Sequence, residues 1–409
     1  MEAPPCAEQL DPREVPPAVR ALVETLGAAG HAGYLVGGCV RDLLQGRAVA
    51  DFDVATSAPP PLVLELFPRA VPIGLRHGTV MIPTESGPVD VTTFRNGNCI
   101  ERDLAHRDFT CNALAYDPRR GVLLDPFDGR NDLAQGRLRA VRSARDRFAE
   151  DPLRALRAAR LAATLDLAPD PELESAMAET RQALGRVARE RIRQELSLLL
   201  LGRRAERGLT LLRRSGIEER LVPGAAPDAA AVVAALPAQL ELRLAAWLRG
   251  ARAASILRRL RFSRRSAERV ERLVRLHPID ARVDAARDAS VRGLIKRAGE
   301  ENLPALLALR RAELEAGSAR DEDGAGAAGL RALEEAIQRV RQAGFLALRR
   351  YDLALDGKEV MRLLGCGPGP EVGRALRYLT DRVVEDPACN TPAGLRALLE
   401  RWGDHAGSS

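Results

Sequence analysis

The chain has 409 residues, which is enough for two to four packed units with a sizeable core. Lysine and arginine total 62 against 56 aspartate and glutamate residues, and this net charge of +6 permits a polyanionic partner without requiring one. Aromatic residues make up only 3% of the chain, which argues against recognition of single strands by aromatic stacking.

Cysteine usage and hydropathy narrow the class of protein further. The six cysteines are scattered, with no CxxC pair and no neighbouring histidine pair, which indicates a reduced cytoplasmic protein without structural zinc. No signal-peptide core and no apolar run of membrane length occurs, so we expect no membrane partner. Residues 1–18 predict a loose leader, and abundant alanine, leucine and arginine predict a largely helical chain.

The first ordered elements lead to a pair of glycines. Apolar spacing predicts a helix over residues 15–29, followed by the stretch YLVGGCVRDLLQGRAVADFDV at residues 34–54. This stretch predicts a short strand, a break at Gly37-Gly38, a short helix and a returning strand. Consecutive glycines let the backbone approach a ligand closely, and amides at a helix N-terminus suit a triphosphate.

The returning strand carries two acids. Asp51 and Asp53 are two residues apart, so both carboxylates project from one face and repel each other unless a divalent metal lies between them. Oxygen-only ligands beside a phosphate site indicate Mg²⁺. A glycine pair alone is more often a plain turn, and Asp-x-Asp alone is more often a solvated strand end. Their combination in one strand–turn–helix–strand unit favours a functional site.

Two further candidate groups follow along the chain. Residues 71–83 predict a turn followed by a strand. A further strand over residues 89–94 places Asp90 on an edge, where it is either a third carboxylate at the site or an exposed turn acid. Arg107, Asp108 and Asn112 are predicted to share one helical side, where they can bind a ribose hydroxyl and a phosphate. The alternative for these three residues is an ion-paired surface turn.

From about residue 145 onward the pattern is helical, and it includes predicted helices over residues 228–250 and 264–276, the second with Ser263 as its N-cap. Leu153, Leu156, Ala159, Ala163 and Leu167 form an apolar stripe. The other face of the same predicted helix carries four charged residues, which are Glu150, Asp151, Arg154 and Arg157. Their spacings of three and four residues are typical of ordinary helix stabilisation, so the functional interpretation depends on what else the chain contains.

Taken in order, these motifs resemble the polymerase-β-type nucleotidyltransferases, specifically the bacterial tRNA nucleotidyltransferase and poly(A) polymerase family. The resemblance extends from about residue 20 to about residue 400. It implies an α+β fold, with a nucleotidyltransferase head built on a mixed sheet and followed by an all-helical neck, body and tail. The borders we expect are leader 1–18, head 19–142, neck with the base-selecting helix 143–205, RNA-binding body 206–315, linker 316–329 and tRNA-binding tail 330–409.

The resemblance also implies a role for each candidate residue. Two Mg²⁺ ions would be held by Asp51 and Asp53, with Asp90 as a third catalytic carboxylate. The nucleotide would be bound through the triphosphate, the ribose and the base by Gly37, Gly38, Arg41, Asp42, Arg107, Asp108, Asn112, Asp151, Arg154 and Arg157. His106 departs from the family pattern, because a first arginine usually precedes the equivalent of Arg107.

The proposed base selection has a chemical basis. Asp151 would accept from an exocyclic amine while Arg154 donates to the neighbouring ring nitrogen or carbonyl. Cytosine and adenine both present an amine next to an acceptor on that edge, whereas uracil and guanine present a carbonyl. A site of buried polar groups rejects such a mismatch strongly, because the aspartate would face an acceptor without a hydrogen bond.

The implied reaction is transfer of nucleotides from CTP, and also from ATP, to the 3′ end of tRNA. A basic cluster in the body would contact the tRNA through Arg258, Arg259, Arg264 and Arg265, although solvated helix faces are the default interpretation of such a cluster. The alternatives are a poly(A) polymerase, which shares the head, and a non-catalytic RNA-binding protein. No obligate protein partner is inferred.

Two features count against the poly(A) polymerase. The string from Gly74 to Val80, with His77 and Gly78, resembles the tRNA enzymes, and so does the segment around Asp356. The basic tail usual in poly(A) polymerases does not occur here, and intact Asp51 and Asp53 argue against the non-catalytic alternative.

One departure from the family predicts where addition stops. Only residues 96–106 separate Arg95 from Arg107, whereas relatives that add all of CCA usually carry a longer segment with a flexible loop. Such a loop can act as a lever that re-aims the base-selecting side chains from a pyrimidine to adenine. A short, tethered segment has little reach, which favours addition of CC only. The alternative is that another loop, such as residues 45–50, does the re-aiming.

Overall fold

The computed structural model describes residues 10–74, 78–95, 99–281, 283–317, 325–344 and 352–406, in two compact units that divide between Pro223 and Gly224. Within these ranges, no helix combines the length and the apolar character that crossing a lipid bilayer requires. His77 and residues 318–324 of the predicted linker lie outside the described residues. The predicted borders between neck, body, linker and tail stay predictions.

The first unit contains the predicted mixed sheet, which is confirmed. Its seven strands have the spatial order β3-β4-β5-β2-β1-β6-β7, and β2 and β5 are parallel while the other neighbours are antiparallel. The strands are β1 Gly33–Val36, β2 Phe52–Thr56, β3 Val71–Gly74, β4 Thr79–Thr84, β5 Gly87–Thr93, β6 Ala115–Asp117 and β7 Val122–Leu124.

Eleven helices complete the described part of the first unit. They are α1 Pro17–Ala28, α2 Gly38–Leu44, α3 Pro60–Leu66, α4 Ile100–Ala105, α5 Gly129–Ala134, α6 Ala144–Glu150, α7 Leu153–Leu165, α8 Pro171–Thr180, α9 Arg189–Leu201, α10 Ala205–Arg214 and α11 Ile217–Leu221. A two-stranded parallel sheet joins β8 Arg137–Leu138 to β9 Ala168–Pro169.

Helix α7 is the centre of the helical part of this unit, because it packs against both α9 and α10. The apolar stripe predicted for it is confirmed, and every member of that stripe is buried. Five alanines of α7 are buried, two of which, Ala159 and Ala163, belong to the stripe. The other three are Ala155, Ala158 and Ala162. Small side chains let neighbouring helices approach closely, so α7 can be covered on more than one side.

Three local predictions need correction. Part of the predicted loose leader is packed, because Leu10 accepts a hydrogen bond from the Tyr116 hydroxyl (3.0 Å) and Val15 is fully buried. The turn and single strand predicted over residues 71–83 are two antiparallel strands, β3 and β4. The returning strand β2 begins at Phe52, later than the sequence pattern suggested.

The second unit is helical throughout its described residues. Its helices are α12 Ala229–Ala234, α13 Leu240–Trp247, α14 Ala253–Arg259, α15 Arg264–Leu276, α16 Asp288–Ala298, α17 Leu303–Glu315, α18 Ala325–Gln342, α19 Gly357–Leu364, α20 Pro370–Glu385 and α21 Pro392–Ala406. The predicted Ser263 cap of α15 is confirmed. A continuous helix over residues 228–250 is wrong, because α12 and α13 are separated around Pro237, which lacks the N–H that a helix interior needs.

Helix α5, which is capped by the turn before it, contacts residues 107–112, the segment of the predicted ribose-binding residues, which is called the ribose motif below. Asp125 accepts hydrogen bonds from the backbone N–H groups of Gly129 (2.7 Å) and Arg130 (2.9 Å) and so caps the helix. The buried Asp132 accepts from the Thr110 hydroxyl (2.6 Å). A Cβ on Gly129 would lie only 2.2 Å from the Thr110 carbonyl oxygen, so this close approach requires glycine.

We therefore expect Gly129→Ala to lower the free energy of unfolding by about 1–3 kcal/mol, the usual cost of overpacking. The atoms in the way belong to backbone, which cannot swing aside as a flexible side chain does. The matched control is Gly185→Ala, where the nearest atom is the end of the Arg220 side chain at 3.2 Å. Apparent Tm values by circular dichroism check this, and equal Tm values for the two variants would contradict it.

Candidate active site

The candidate site begins at the turn between β1 and α2. Gly37 has φ +78° and ψ −132°, a conformation that side chains disfavour, and its N–H donates to the Leu114 carbonyl (3.2 Å). A Cβ on Gly37 would lie 2.6 Å from Nη1 of Arg107. Glycine is therefore required by the backbone conformation, and a Cβ would in addition displace the Arg107 guanidinium group. Gly38 opens helix α2, where a Cβ would lie 3.4 Å from Nη2 of Arg41.

Three acids line up beside this turn. Asp51 directly precedes β2, Asp53 lies within it, and Asp90 lies in the neighbouring strand β5. Asp53 and Asp90 are register partners in the parallel pair, so their side chains project from the same face of the sheet. Asp51 is exposed and the other two are partly buried. The structure thus brings together the two predicted metal ligands and the predicted third carboxylate.

The electrostatics of this cluster disfavour ionisation of its inner member. Burial is the main cause that raises the pKa of Asp53 from 3.8 to about 6; Arg107 opposes the rise, and the negative charges of Asp90 and Asp51 add to it. Burial, followed by the charge of Asp51, also raises the pKa of Asp90. The structure thus places a cation, Arg107, close to Asp53, which the local sequence around the acid pair does not show.

Asp51, Asp53 and Asp90 fit a metal ion that takes some of its ligands from the protein and the others from substrate and water. Across the described residues, no three histidine, cysteine, aspartate or glutamate side chains lie close enough to enclose an ion by themselves. Mg²⁺ is commonly bound through one or two carboxylates together with substrate phosphates and water. An oxygen-only donor set with raised pKa values matches that chemistry, because a divalent cation would favour the ionised carboxylates.

Arg41 joins two motifs that are far apart in the sequence. Its Nε and Nη2 donate to the two carboxylate oxygens of Asp42 (3.0 and 2.9 Å). Its Nη1 donates to the side-chain oxygen of Asn112 (2.6 Å). The predicted triphosphate residues and the predicted ribose residues are therefore in direct contact.

Asp108 is the buried centre of the ribose motif. One oxygen accepts from the Phe109 N–H (2.9 Å) and from the Asn112 amide (3.2 Å), and the other accepts from Arg157 Nη1 (2.8 Å). Burial alone would raise the pKa of Asp108, but Arg157 and the other donors outweigh it and hold the pKa below its usual value. The single helical side predicted for residues 107–112 is wrong, because only a short 3-10 helix, Thr110–Asn112, forms there.

A cavity of about 230 Å³ lies between the acids and the arginines. Its lining includes five predicted site residues, which are Asp53, Arg107, Asp108, Arg154 and Arg157. His106 lines it as well, at the position where the family pattern has arginine. A pocket with acids on one wall and guanidinium groups on another can hold an anionic ligand together with its cation.

The predicted base-selecting pair does not share this cavity. Arg154 lines it, and its guanidinium donates to the carbonyls of Arg147 and His106 (both 3.1 Å) and to Glu150 (2.8 Å). Asp151 instead accepts from Arg191 Nη2 (2.8 Å) and lines a second cavity of about 500 Å³.

The single helix predicted to carry these residues is also wrong. Helix α6 ends at Glu150 and α7 begins at Leu153, so Asp151 stands in extended backbone between the two helices. Pro152 cannot supply the N–H that an uninterrupted helix would need at that point.

Sequence reasoning missed two contributors to the site. Glu195 on α9 is buried and accepts from Arg157 Nε (3.3 Å) and Arg160 Nε (2.7 Å). Asp103 is buried as well, accepts from the Arg95 N–H (3.1 Å) and lies 3.6 Å from Arg107 Nη2. A signal for Glu195 exists in the sequence, because an acid occupies an otherwise apolar helix face beside Ile192, Leu196 and Leu199.

The predicted tRNA-contacting arginines belong to the second unit. They lie at the end of α14 and the start of α15, and all four are exposed. Arg264 pairs with Glu268 (2.7 Å) on its own helix, and Arg258 Nε donates to the Ala254 carbonyl (3.3 Å). Their contact with RNA stays a prediction.

Comparison with known families matches two segments of the chain. Residues 33–139 match the family described as "Poly A polymerase head domain". Residues 166–228 match the one described as "Probable RNA and SrmB- binding site of polymerase A". The first segment contains the glycine turn, the acids and the ribose motif.

The similarity to one individual relative covers more of the chain than the two family matches do. It is 45% identical over 194 residues to a CC-adding tRNA nucleotidyltransferase of Shouchella clausii, a match that spans 47% of this chain and 51% of the relative. The chain thus spans about half the length of that relative. A CCA-adding enzyme of Lactobacillus delbrueckii subsp. bulgaricus is 30% identical over 408 residues, which covers 92% of this chain and 96% of the relative.

The fold is similar as well. The crystal structure of the Bacillus stearothermophilus CCA-adding enzyme in complex with CTP superimposes with a TM-score of 0.76 at 29% identity. That likeness covers 97% of this chain and 100% of the other.

The raised pKa of Asp53 leads to a prediction about stability. Because the folded form holds this proton more tightly, stability falls as the pH rises from about 4 through about 6, and the ionised carboxylate opposes folding at neutral pH. Asp53→Asn should therefore raise the free energy of unfolding at pH 7.5 without divalent ions, by at most about 3 kcal/mol. Added Mg²⁺ should raise the Tm of the wild type and not that of the variant.

The control is Asp117→Asn, at a buried carboxylate that already accepts from Arg119 (2.9 Å from its N–H and 3.3 Å from Nε). This substitution should lower Tm with or without Mg²⁺. A lowered Tm for Asp53→Asn in the absence of divalent ions would show that the ionised carboxylate of Asp53 does not destabilise the folded protein.

Proposed function

This chain belongs to the tRNA nucleotidyltransferase and poly(A) polymerase family, and on that premise we propose that it adds cytidine residues to the 3′ end of tRNA. The observation that carries the proposal is the parallel pairing of Asp53 with Asp90, with Asp51 beside them, next to the Gly37 turn. Of these acids, Asp53 lines a cavity that Arg107, Arg154 and Arg157 also line, and this combination suits transfer of a nucleotide from a triphosphate with release of pyrophosphate.

The acids would hold the metal ions of the reaction. Asp51 and Asp53 are the proposed Mg²⁺ ligands, and Asp90 is placed to complete the acidic face. When bound, such ions activate an attacking hydroxyl and neutralise a departing pyrophosphate. Magnesium is proposed because the donors are oxygens only and because, among the residues that the structure describes, too few of them converge to enclose an ion without substrate phosphates.

The residues around the turn would orient the triphosphate and the sugar. Gly37 and Gly38 let the guanidinium groups of Arg107 and Arg41 lie against the backbone, which brings positive charge to the place proposed for the phosphates. Asp42 fixes the plane of the Arg41 guanidinium through two hydrogen bonds. The Asn112 amide uses one N–H on Asp108, and its second N–H can donate to a ribose hydroxyl.

The base would be read by Arg154 and Asp151 after both change partners. Two of the Arg154 contacts are neutral carbonyls, and Asp151 is held by a half-exposed arginine, Arg191. The half-exposed pair between Arg191 and Asp151 contributes at most about 1 kcal/mol, so the exocyclic amine of a base can replace Arg191, while the other oxygen of Asp151 keeps its hydrogen bond from the Leu153 N–H (3.1 Å). Arg157 lies behind them and supports Asp108.

Addition is proposed to stop after two cytidines. The described part of the short segment before Arg107, residues 99–106, contains helix α4, whose Ile100 and Leu104 are buried. A segment anchored in this way has little freedom to act as the lever that a switch to adenine needs. The matching relative from Shouchella clausii is named as CC-adding and the Lactobacillus relative as CCA-adding, so ATP stays a candidate second substrate. Neither name favours a poly(A) polymerase.

The decisive experiment supplies CTP and ATP with a tRNA transcript that lacks its last three nucleotides. We expect a product longer by two cytidines, no extension of an unrelated oligonucleotide, and for Asp51→Asn a rate lower by several powers of ten. A product longer by three nucleotides and ending in A would refute the CC-only limit. No extension at all would refute the proposed function.

A second experiment addresses the base. Arg154→Ala should lower the preference for CTP over UTP about tenfold, the value of one hydrogen bond lost to the base edge. Arg214→Ala, which removes an exposed partner of Glu174, is the control and should leave the preference unchanged. Equal slowing with both nucleotides in Arg154→Ala would mean that Arg154 only supports the fold.

A further inference from the structure

Glu195 lies in an environment that an isolated carboxylate would avoid. It is 7% exposed, and its neighbours on α9 include the buried Ile192, Leu196 and Leu199. A buried charge is tolerated only when it is paired and hydrogen-bonded. Each oxygen of Glu195 accepts from a different arginine on α7, one from Arg157 Nε (3.3 Å) and the other from Arg160 Nε (2.7 Å).

Arg157 links this carboxylate to the ribose motif. A guanidinium is planar, so two carboxylates that bind different edges of it fix both its position and its plane. Glu195 binds the Nε edge and Asp108 binds Nη1 (2.8 Å). Arg157 is thus held between two buried acids. Burial alone would lower the pKa of Arg157, but the charges and hydrogen bonds of Asp108 and Glu195 raise it.

The contacts continue without a gap to helix α2. The second oxygen of Asp108 accepts from the Asn112 amide (3.2 Å), and the Asn112 oxygen accepts from Arg41 Nη1 (2.6 Å). Arg41 in turn is bound by both oxygens of Asp42. One path of hydrogen bonds therefore connects α9, in the predicted neck, with helix α2, which follows the Gly37-Gly38 turn where the triphosphate is proposed to bind.

We propose that Glu195 is a positioning residue for sugar recognition: it clamps Arg157 so that Asp108 presents the Asn112 amide to the ribose of the incoming nucleotide. This inference rests on the proposed function. Without the clamp, Arg157 can rotate to bind both oxygens of Asp108, and that carboxylate then releases Asn112. The amide would lose its fixed direction, and with it the ability to distinguish a ribose from a deoxyribose.

The competing explanation is purely structural. Glu195 would then only neutralise Arg157 and Arg160 where α7 and α9 pack together. Loss of that neutralisation would destabilise the unit and slow the use of every nucleotide alike. The two explanations differ in the ratio of CTP to dCTP use, because only the clamp acts selectively on sugar recognition.

The test is Glu195→Gln, which keeps the size of the side chain and removes its charge. With tRNA lacking its 3′ end, kcat and KM are measured for CTP and for dCTP. We expect the preference for CTP over dCTP in kcat/KM to fall about tenfold, chiefly through a higher KM for CTP, as one hydrogen bond to the sugar loses its fixed geometry. An unchanged preference in a folded variant would overturn the inference.

Two further variants keep the test decisive. Glu218→Gln removes another buried glutamate of the first unit, one that pairs with Arg213 away from the cavity, and should leave the preference for CTP over dCTP unchanged. If Glu195→Gln does not fold, Arg157→Lys provides the second measurement, because an ammonium cannot bind both acids in a fixed plane. It should show the same loss of preference, and a retained preference would overturn the inference.

The failure of this inference and that of the proposed function are distinguishable. If the wild type does not extend tRNA with CTP, the proposed function fails and the role assigned to Glu195 fails with it. If the wild type extends tRNA and prefers CTP over dCTP while the variants keep that preference, only the role of Glu195 fails.

Discussion

The parallel pairing of β2 with β5 is the constraint on which the site depends. Every other neighbouring pair in the seven-stranded sheet is antiparallel, and this single parallel pair puts Asp53 directly beside Asp90. The arrangement is electrostatically unfavourable by itself, since burial and the neighbouring acids raise the pKa of Asp53 to about 6. A fold that maintains such repulsion is typical of sites where a ligand supplies the missing positive charge.

The arginines of the candidate site are restrained by the protein before any nucleotide binds. Arg41 is held by Asp42, Arg157 by Asp108 and Glu195, and Arg107 lies 3.6 Å from Asp103. A donor that is already oriented does not have to be reorganised when charge develops during the reaction. The buried acids therefore act on catalysis indirectly, because they determine where the cations point.

The extent to which sequence predicts this molecule follows from the range of each interaction. The Gly37-Gly38 turn, the Asp51 and Asp53 pair and the Ser263 cap depend on neighbours a few residues away, and their patterns are visible in the chain. The contact between Arg41 and Asn112 spans 71 residues, and the register of Asp53 with Asp90 depends on strand pairing. Such contacts come from tertiary packing, which local propensity does not encode.

The junction between α6 and α7 shows how one local error changes the functional argument. As a continuous helix, this segment would put Asp151 and Arg154 on one face and make a rigid base reader. The structure ends one helix at Glu150 and starts the next at Leu153, so Asp151 stands on extended backbone, and its carboxylate accepts from the Leu153 N–H (3.1 Å). Re-aiming of the pair for a different base would then require rotation at Asp151 itself, next to Pro152. The segment before Arg107 could influence that rotation through two contacts, that of the His106 carbonyl with Arg154 and that of the Ala105 carbonyl with Arg147.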